Sequence, residues 1–308
     1  VIVMDRQQED KQLLFVDNGY LFYGDAYKLH GFFQGENNEL TTAGGGNRLY
    51  GDAYKMYDSF QGGDDRLTST GKGNFLYGDA HKMYQSSQGG KDVLITTGER
   101  NRLYGDGYKI YDSSQCGDDE LTVEGRKNEL YGDGYKIYDS SQCGDDELTV
   151  TGNGNYLYGD ASNIMYGSSQ AGEDILIAQG NRNHLYGDSH SKFALSPGGD
   201  DLLIASGGIN YLYGDAIERI DRPVDEDVSG GADVFVVQEG VGYNKIMDFS
   251  GHQGDKIGIP SELYALLGSL TLTTNNGNTE VYKGSDLLAI VHKVTDLTTT
   301  DFTLFSGI

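Results

Sequence analysis

Apolar positions along this chain come in short runs set off by glycine, without helical stripes. Residues 50–76 read YGDAYKMYDSFQGGDDRLTSTGKGNFL, and the apolar anchors Met56, Leu67 and Leu76 each follow a glycine turn: Gly51, then Gly62 with Gly63, then Gly71 with Gly73. Glycine tolerates the positive φ that a sharp corner between strands demands. The pattern predicts three short strands and three corners per unit. No segment sustains a helical apolar period over several turns.

The unit repeats. Tyr-Gly-Asp begins at Tyr23, Tyr50, Tyr77, Tyr104, Tyr131, Tyr158, Tyr186 and Tyr213, every step being 27 residues except the 28 from Tyr158 to Tyr186. A period this long marks a solenoid, whose units bury their apolar positions against their neighbours. The extra residue lies in ASNIMYGSSQ, where other units read YKIYDSSQ, and predicts one bulged loop. The steps Asp65 to Asn74, Asn74 to Asp79 and Asp79 to Asp92 are nine, five and thirteen residues. An eighteen-residue roll needs the nine-residue step throughout, so the spacing favours one coil per 27-residue unit.

The expected fold is therefore all-β: a parallel, β-roll-like solenoid of about seven to eight coils over residues 21–221. An N-terminal edge segment (1–20) precedes it and a C-terminal β cap (222–308) follows it, beginning in the acidic, Pro223-containing stretch RPVDEDVSGGADVFVV. In the cap YNKIMDF, DKIGI, LTLTT, TEVYK, LLAIVHKV and DFTLF read as six short strands. Open solenoid ends leave unpaired strand edges, so a cap is physically required. At the other end only residues 12–22 are available to serve.

Charge narrows the partners. The chain carries 47 acidic against 23 basic residues, a net charge of -24, with 46 Gly, 23 Tyr and 3 Pro. This argues against nucleic acid or an anionic membrane and suits cations. The longest mostly apolar run, residues 263–272, is too short for a transmembrane segment. The N-terminal sequence lacks the pattern of an ordinary signal peptide. The six His are scattered, without helical metal spacing, and no phosphate-binding loop is present. The expectation is a protein that is not an enzyme.

Stacking like on like places Asp65, Asp92, Asp119, Asp146, Asp174 and Asp201 in one column, spaced at about the 4.8 Å that separates parallel strands. Two such charges repel by roughly 1 kcal/mol in water and several times more where water is scarce. Calcium answers that repulsion, since it takes carboxylate and carbonyl oxygens, and glycine turns expose carbonyls. The candidate ligands are these Asp and their neighbours Asp64, Asp118, Asp145 and Asp200 in the GGDD-type corners. A second column, Asp25, Asp52, Asp79, Asp106, Asp133, Asp160, Asp188 and Asp215, has a Lys three residues on in five units, from Lys28 to Lys136. These Asp are expected to cap their own turns, neutralised by the Lys ladder.

The corners GGDDRL, GGKDVL, CGDDEL, AGEDIL and GGDDLL resemble the second half of the RTX (repeats-in-toxin, hemolysin-type) nonapeptide G-G-x-G-x-D-x-U-x. In the first of them Gly63 is the inner glycine, Asp65 the ligand and Leu67 the large apolar residue. The stretch GGADVFVVQEGVGYNKIMDFSGHQGDKIGI, residues 230–259, is similar to the segment that closes many RTX arrays. That match brings Asp233 and Asp255 among the candidate ligands. The resemblance spans roughly residues 20–305. It implies a calcium-binding solenoid, secretion by a type I exporter reading an uncleaved C-terminal signal, and folding outside the cell. The chain departs from the family in GKGNFL, with Asn74 in place of Asp, and in its 27-residue interval.

Two functions follow as expectations. One is a secreted calcium-binding structural protein of a bacterial cell surface, sheath or extracellular matrix, self-associating into a filament through its sparsely covered N-terminal edge. The other is a calcium-dependent adhesin or carbohydrate-binding module holding polysaccharide on the Tyr50, Tyr77, Tyr104 and Tyr131 or the Tyr57, Tyr84, Tyr111 and Tyr138 column. Stacked Tyr reads first as cross-strand packing. Cys116 and Cys143 stand one period apart, so one coil per unit puts their Cα atoms within about 7 Å. There they either bond or fill the small-residue slot of Gly62, Gly89 and Ala171.

Overall fold

A computed structural model describes residues 2–3, 12–16, 18–193, 197–215, 218–220, 230–261 and 267–307. Each unit lays one strand on each of three faces, as in Phe75–Tyr77, Ala80–Met83 and Val93–Thr97. Their copies stack into sheets of 13, 8 and 11 strands, here called the tyrosine, lysine and threonine sheets. Leu76 pairs with Leu103, Lys82 with Lys109 and Leu94 with Leu121, all in parallel register. Each residue thus faces its own copy one unit on. The chain is a parallel β-solenoid of about seven turns with one coil per 27-residue unit, as the spacing predicts.

Period-two alternation decides what enters the interior. In Arg66–Thr70, Leu67 and Ser69 point inward while Arg66 and Thr70 are exposed. The leucines of the tyrosine and threonine sheets form one apolar cluster, and Ala53, Met56, Ala80, Met83, Ile110 and Ile137 of the lysine sheet form another. The corner between the threonine and tyrosine sheets stays within the first cluster and carries Asn. Asn74 N–H donates to Asn101 Oδ1 at 2.8 Å, and Asn101 Nδ2 donates to the Gly71 carbonyl at 3.1 Å. Repeated coil after coil, this ladder uses both ends of the amide and needs no counter-charge. The other two corners pass between the clusters, and both carry Asp.

The column of Tyr50, Tyr77, Tyr104 and Tyr131 is packing, while Tyr57, Tyr84, Tyr111 and Tyr138 stack half-exposed. Tyr50, Tyr77, Tyr104 and Tyr131 are at most 3% exposed. Their rings stack in near-parallel pairs 4.6–4.8 Å apart. A column the sequence reading does not single out, Tyr54, His81, Tyr108 and Tyr135, seals them edge-on, the Tyr104 and Tyr108 rings meeting at 83°.

Two expectations change. The extra residue is absorbed in a strand, Ala161–Met165, with a bulge that pairs Gly134 with Ala161 and Lys136 with Ile164. The following loop keeps its stacking, with the Tyr138 and Tyr166 rings 4.8 Å apart and Gln142 bridged to Gln170. Nor does the coil stop near residue 221: Val234–Val236 pairs with the strand Leu202–Ser206, and Gly242–Ile246 with Gly208–Tyr213. The expected junction at 221–229 lies outside the described residues. All six strands read in the C-terminal region are present, the last at Phe302–Phe305. The tyrosine sheet ends by turning antiparallel through Asp286–Val291, Asn278–Lys283 and Leu270–Asn275.

Tight stacking predicts a sharp contrast between two glycines. A Cβ on Gly78 would lie 1.8 Å from the Gly105 carbonyl oxygen, whereas one on Gly73, at φ +70°, meets nothing within 4 Å. Gly73→Ala therefore costs only the left-handed strain, about 1 kcal/mol. Gly78→Ala must push neighbouring coils apart and costs at least about 4 kcal/mol. Urea midpoints of the two variants measure the difference; equal shifts would contradict the stacking.

Candidate metal centre

Column by column, the two Asp-bearing corners converge on one interior strip. Along the GGDD corner the carboxylates form a ladder: Asp65 N–H donates to Asp92 Oδ1 at 2.6 Å, Asp92 N–H to Asp119 Oδ1 at 2.7 Å, and Asp119 N–H to Asp146 Oδ1 at 2.7 Å. Asp146, Asp174, Asp201 and Asp233 continue the ladder to Asp255. This occupies Oδ1 only. The Oδ2 atoms of Asp65, Asp92, Asp119, Asp146, Asp174 and Asp201 are buried without a hydrogen-bond donor.

Those oxygens face the second Asp column. Gly90, Gly117 and Gly144 N–H groups of the GGDD-type corner donate to Oδ1 of Asp79, Asp106 and Asp133 at 3.0–3.1 Å. The Tyr-Gly-Asp carboxylates therefore cap the opposite corner, eleven residues on, and not their own turn. Asp52, Asp79, Asp106 and Asp133 are fully buried, while Lys55, Lys82, Lys109 and Lys136 lie half-buried on the outward positions of the lysine sheet. The expected neutralisation by the Lys ladder is thus corrected: a side chain on the outer face cannot reach a carboxylate behind the strand. Backbone oxygen joins the strip too, since a Cβ on Gly78 would sit 1.8 Å from Gly105 O and 1.9 Å from Asp92 Oδ2.

One coil shows what this strip accepts. Asn38 stands 27 residues before Asp65 and occupies the same ladder, its N–H donating to Asp65 Oδ1 at 2.5 Å. Its Nδ2 donates to Asp25 Oδ1 at 3.2 Å, to Gly51 O at 3.3 Å and to Glu36 O at 2.8 Å. A partly positive group thus fills the space between the columns in the first coil. In the following coils a second carboxylate oxygen takes its place, against a carboxylate and a carbonyl. At an effective dielectric near 20, two carboxylates one coil apart repel by about 3 kcal/mol. Such a strip requires protons or cations.

The titration behaviour reflects the crowding. Burial first, and then the charges of Asp79, Asp119 and Asp65, push the Asp92 carboxyl well above the usual range. Asp52 is raised by burial and then by Asp65, Asp79 and Asp25. Burial lifts Asp79 from 3.8 to about 6, and Asp248 and Asp255 to about 7.

Of the candidate ligands, Asp65, Asp92, Asp119, Asp146, Asp174, Asp201, Asp233 and Asp255 share the interior ladder. Asp64, Asp118, Asp145 and Asp200 do not join them: they are exposed, because successive side chains of an extended chain point to opposite sides. They form an outer ladder instead, Asp64 Oδ1 accepting from Lys91 N–H and Asp118 Oδ1 from Asp145 N–H. Two parts of the site are not evident from the sequence: the second Asp column, and Asp248, which accepts from Gly214 and Asp215 N–H groups at 3.0 and 3.1 Å. Apart from the coils that carry Cys116 and Cys143, the strip offers carboxylate and carbonyl oxygen, the donor chemistry of calcium. No family model matches this chain, and neither does any curated protein or solved structure.

Raised carboxyl pKa values set the pH response of the metal-free chain. A folded-state pKa above the unfolded 3.8 means the unfolded chain loses its protons first. Stability from these groups is fully present below about pH 4 and falls as pH rises through about 6 to 7. Circular dichroism in chelator is expected to show β structure at pH 4 that is lost toward pH 8. A metal-free fold that gains stability over that range would refute this assignment.

Proposed function

We propose that this chain is a secreted, calcium-binding structural solenoid of the RTX type, whose interior carboxylate strip is its ion-binding site. The observation that carries the reading is the Asn38 amide lodged between the columns, in the place where Asp65, Asp92, Asp119, Asp146, Asp174 and Asp201 offer only carboxylate oxygen. Asp52, Asp65 and Asp79 with the Gly78 carbonyl are representative of the groups that would hold each ion. Calcium there supplies the positive charge that lets both columns stay ionised.

The chain's own residues do the rest. Glycine corners let carbonyl and carboxylate oxygens approach, and the Oδ1 ladder holds each carboxylate in fixed orientation. Without the ion, a net charge of -24 and 46 Gly oppose ordering at neutral pH. Binding confined to the folded coil shifts that equilibrium, which fits a protein exported unfolded and set in a calcium-rich exterior. The RTX-like segment at 230–259 supports the type I route. Among the described residues no helix is long and apolar enough to cross a membrane. At the N-terminal end of the lysine sheet the edge strand Ala26–Leu29 is followed by Phe32 and Phe33, 86% and 64% exposed. These rings support self-association into filaments.

Circular dichroism at neutral pH tests the proposal: chelator should give a largely disordered chain and millimolar calcium a β spectrum. Because both columns face one strip, Asp52→Ala with Asp79→Ala should raise the calcium midpoint as much as Asp65→Ala with Asp92→Ala. Asp64→Asn with Asp118→Asn should leave it unchanged. Identical β spectra in chelator and calcium would sink the reading.

A second reading has one observation in its favour. The side of the solenoid bears a groove of about 420 Å3 lined by Tyr108, Tyr135, Tyr156, Arg102, Glu129 and His190, a mixture of ring faces and polar groups suited to a sugar. If the chain is a carbohydrate-binding module, Tyr108→Ala with Tyr135→Ala should abolish glycan-array binding by calcium-loaded monomers. Absence of glycan binding by the unaltered chain would discard this reading.

A further inference from the structure

The interior strip changes chemistry in two neighbouring coils. Where other coils carry Gly62, Gly89 or Ala171, these carry Cys116 and Cys143. The preceding corner shows how close this slot is to the carboxylates: a Cβ on Gly89 would lie 1.6 Å from Asp106 Oδ1 and 2.8 Å from Asp79 Oδ2. A cysteine here therefore delivers its sulfur among the carboxylates. Asp106, Cys116 and Asp133 form one cluster and Asp133, Cys143 and Asp160 the next, with one ligand atom from each residue lying within 4.8 Å of the others. The thiols are free. Asp106 and Asp133 are fully buried, and their Oδ2 atoms lack a hydrogen-bond donor.

We infer that these two adjacent cells form a binding site for a thiophilic divalent cation of the zinc class, set within an array otherwise built for calcium. A thiolate is a poor ligand for calcium, which prefers oxygen, and a good one for zinc, cadmium or cobalt. Around a tetrahedral zinc ion with sulfur at about 2.3 Å and oxygen at about 2.0 Å, ligand atoms lie roughly 3.3–3.8 Å apart. The ligand atoms, already within 4.8 Å of one another, draw in to reach that. Each cell supplies one sulfur and two carboxylates, leaving a fourth position for the second oxygen of a carboxylate or for water. Asp133 belongs to both cells and bridges them. On binding, the thiol proton leaves to solvent and the sulfur takes the ion as thiolate.

The inference rests on the coil geometry and not on calcium being the ion elsewhere, so the two are tested separately in one sample. The full chain, in calcium and a non-thiol reductant without oxygen, is titrated with Co2+ while circular dichroism follows the fold. Visible d–d bands and a near-ultraviolet thiolate-to-cobalt band are expected, bleached by Zn2+ and unaffected by excess calcium. Cys116→Gly and Cys143→Gly restore the residue of other coils, so folding should persist. Each single variant should retain the bands, having one complete cell, and the double variant should lose them. No thiolate band in the unaltered chain, or bands surviving in the double variant, would overturn the inference. Failure of the calcium reading would show instead in the circular dichroism, as a fold indifferent to calcium.

Discussion

Stacking in register is the constraint on which the rest of this molecule depends. With one unit per coil, every side chain stands about 4.8 Å from its own copies above and below, so a residue is admissible only if it tolerates itself. Leucine does so by packing and tyrosine by offset stacking of parallel rings. Asparagine does so because its amide is both donor and acceptor, and the third corner repeats it with each end engaged. Aspartate fails the test, for an ionised carboxylate has only acceptors. The two corners that carry it can stack buried carboxylates only with protons or cations between them.

The position of the two apolar clusters explains why the failing corners meet. A corner that stays within one cluster is walled by leucine and keeps its polar group local. The Tyr-Gly-Asp and GGDD corners each step from one cluster to the other, so their carboxylates point into the same seam. Glycine borders that seam because no Cβ fits between a carboxylate oxygen and the neighbouring coil's carbonyl. Cysteine in the same slot changes the donor set while keeping the coil intact, which is why a repeat array can vary its chemistry one coil at a time.

Much of this was legible in the sequence. The nine-, five- and thirteen-residue steps fixed one coil per unit, and glycine before each apolar anchor marked three corners. The strands of the C-terminal region stood out through period-two alternation. Which way a corner residue points was not legible: Asp64 and Asp65 are chemically alike, and only the backbone turn sends one outward and the other in. A Lys three residues after Asp52 read as its partner, but the strand between them separates the two. Asn38 carried a usable signal, since counting 27 residues back from Asp65 lands on it; its amide replaces the one carboxylate the first coil would otherwise add. Asp248 sits outside the regular period and left no spacing to find it by.

The interior ladders also have a direction. Each Asp N–H of the GGDD corner, and each Asn N–H of the third corner, donates to the side chain of the coil that follows it in sequence. The Asp series ends on Asp255, whose other oxygen is held by Ser250 N–H at 2.7 Å. A ladder polar in this sense gives the solenoid two chemically different ends: at one, Asn38 Oδ1 is a buried acceptor without a donor, and at the other Asp255 closes on Ser250 through both its N–H and its second oxygen.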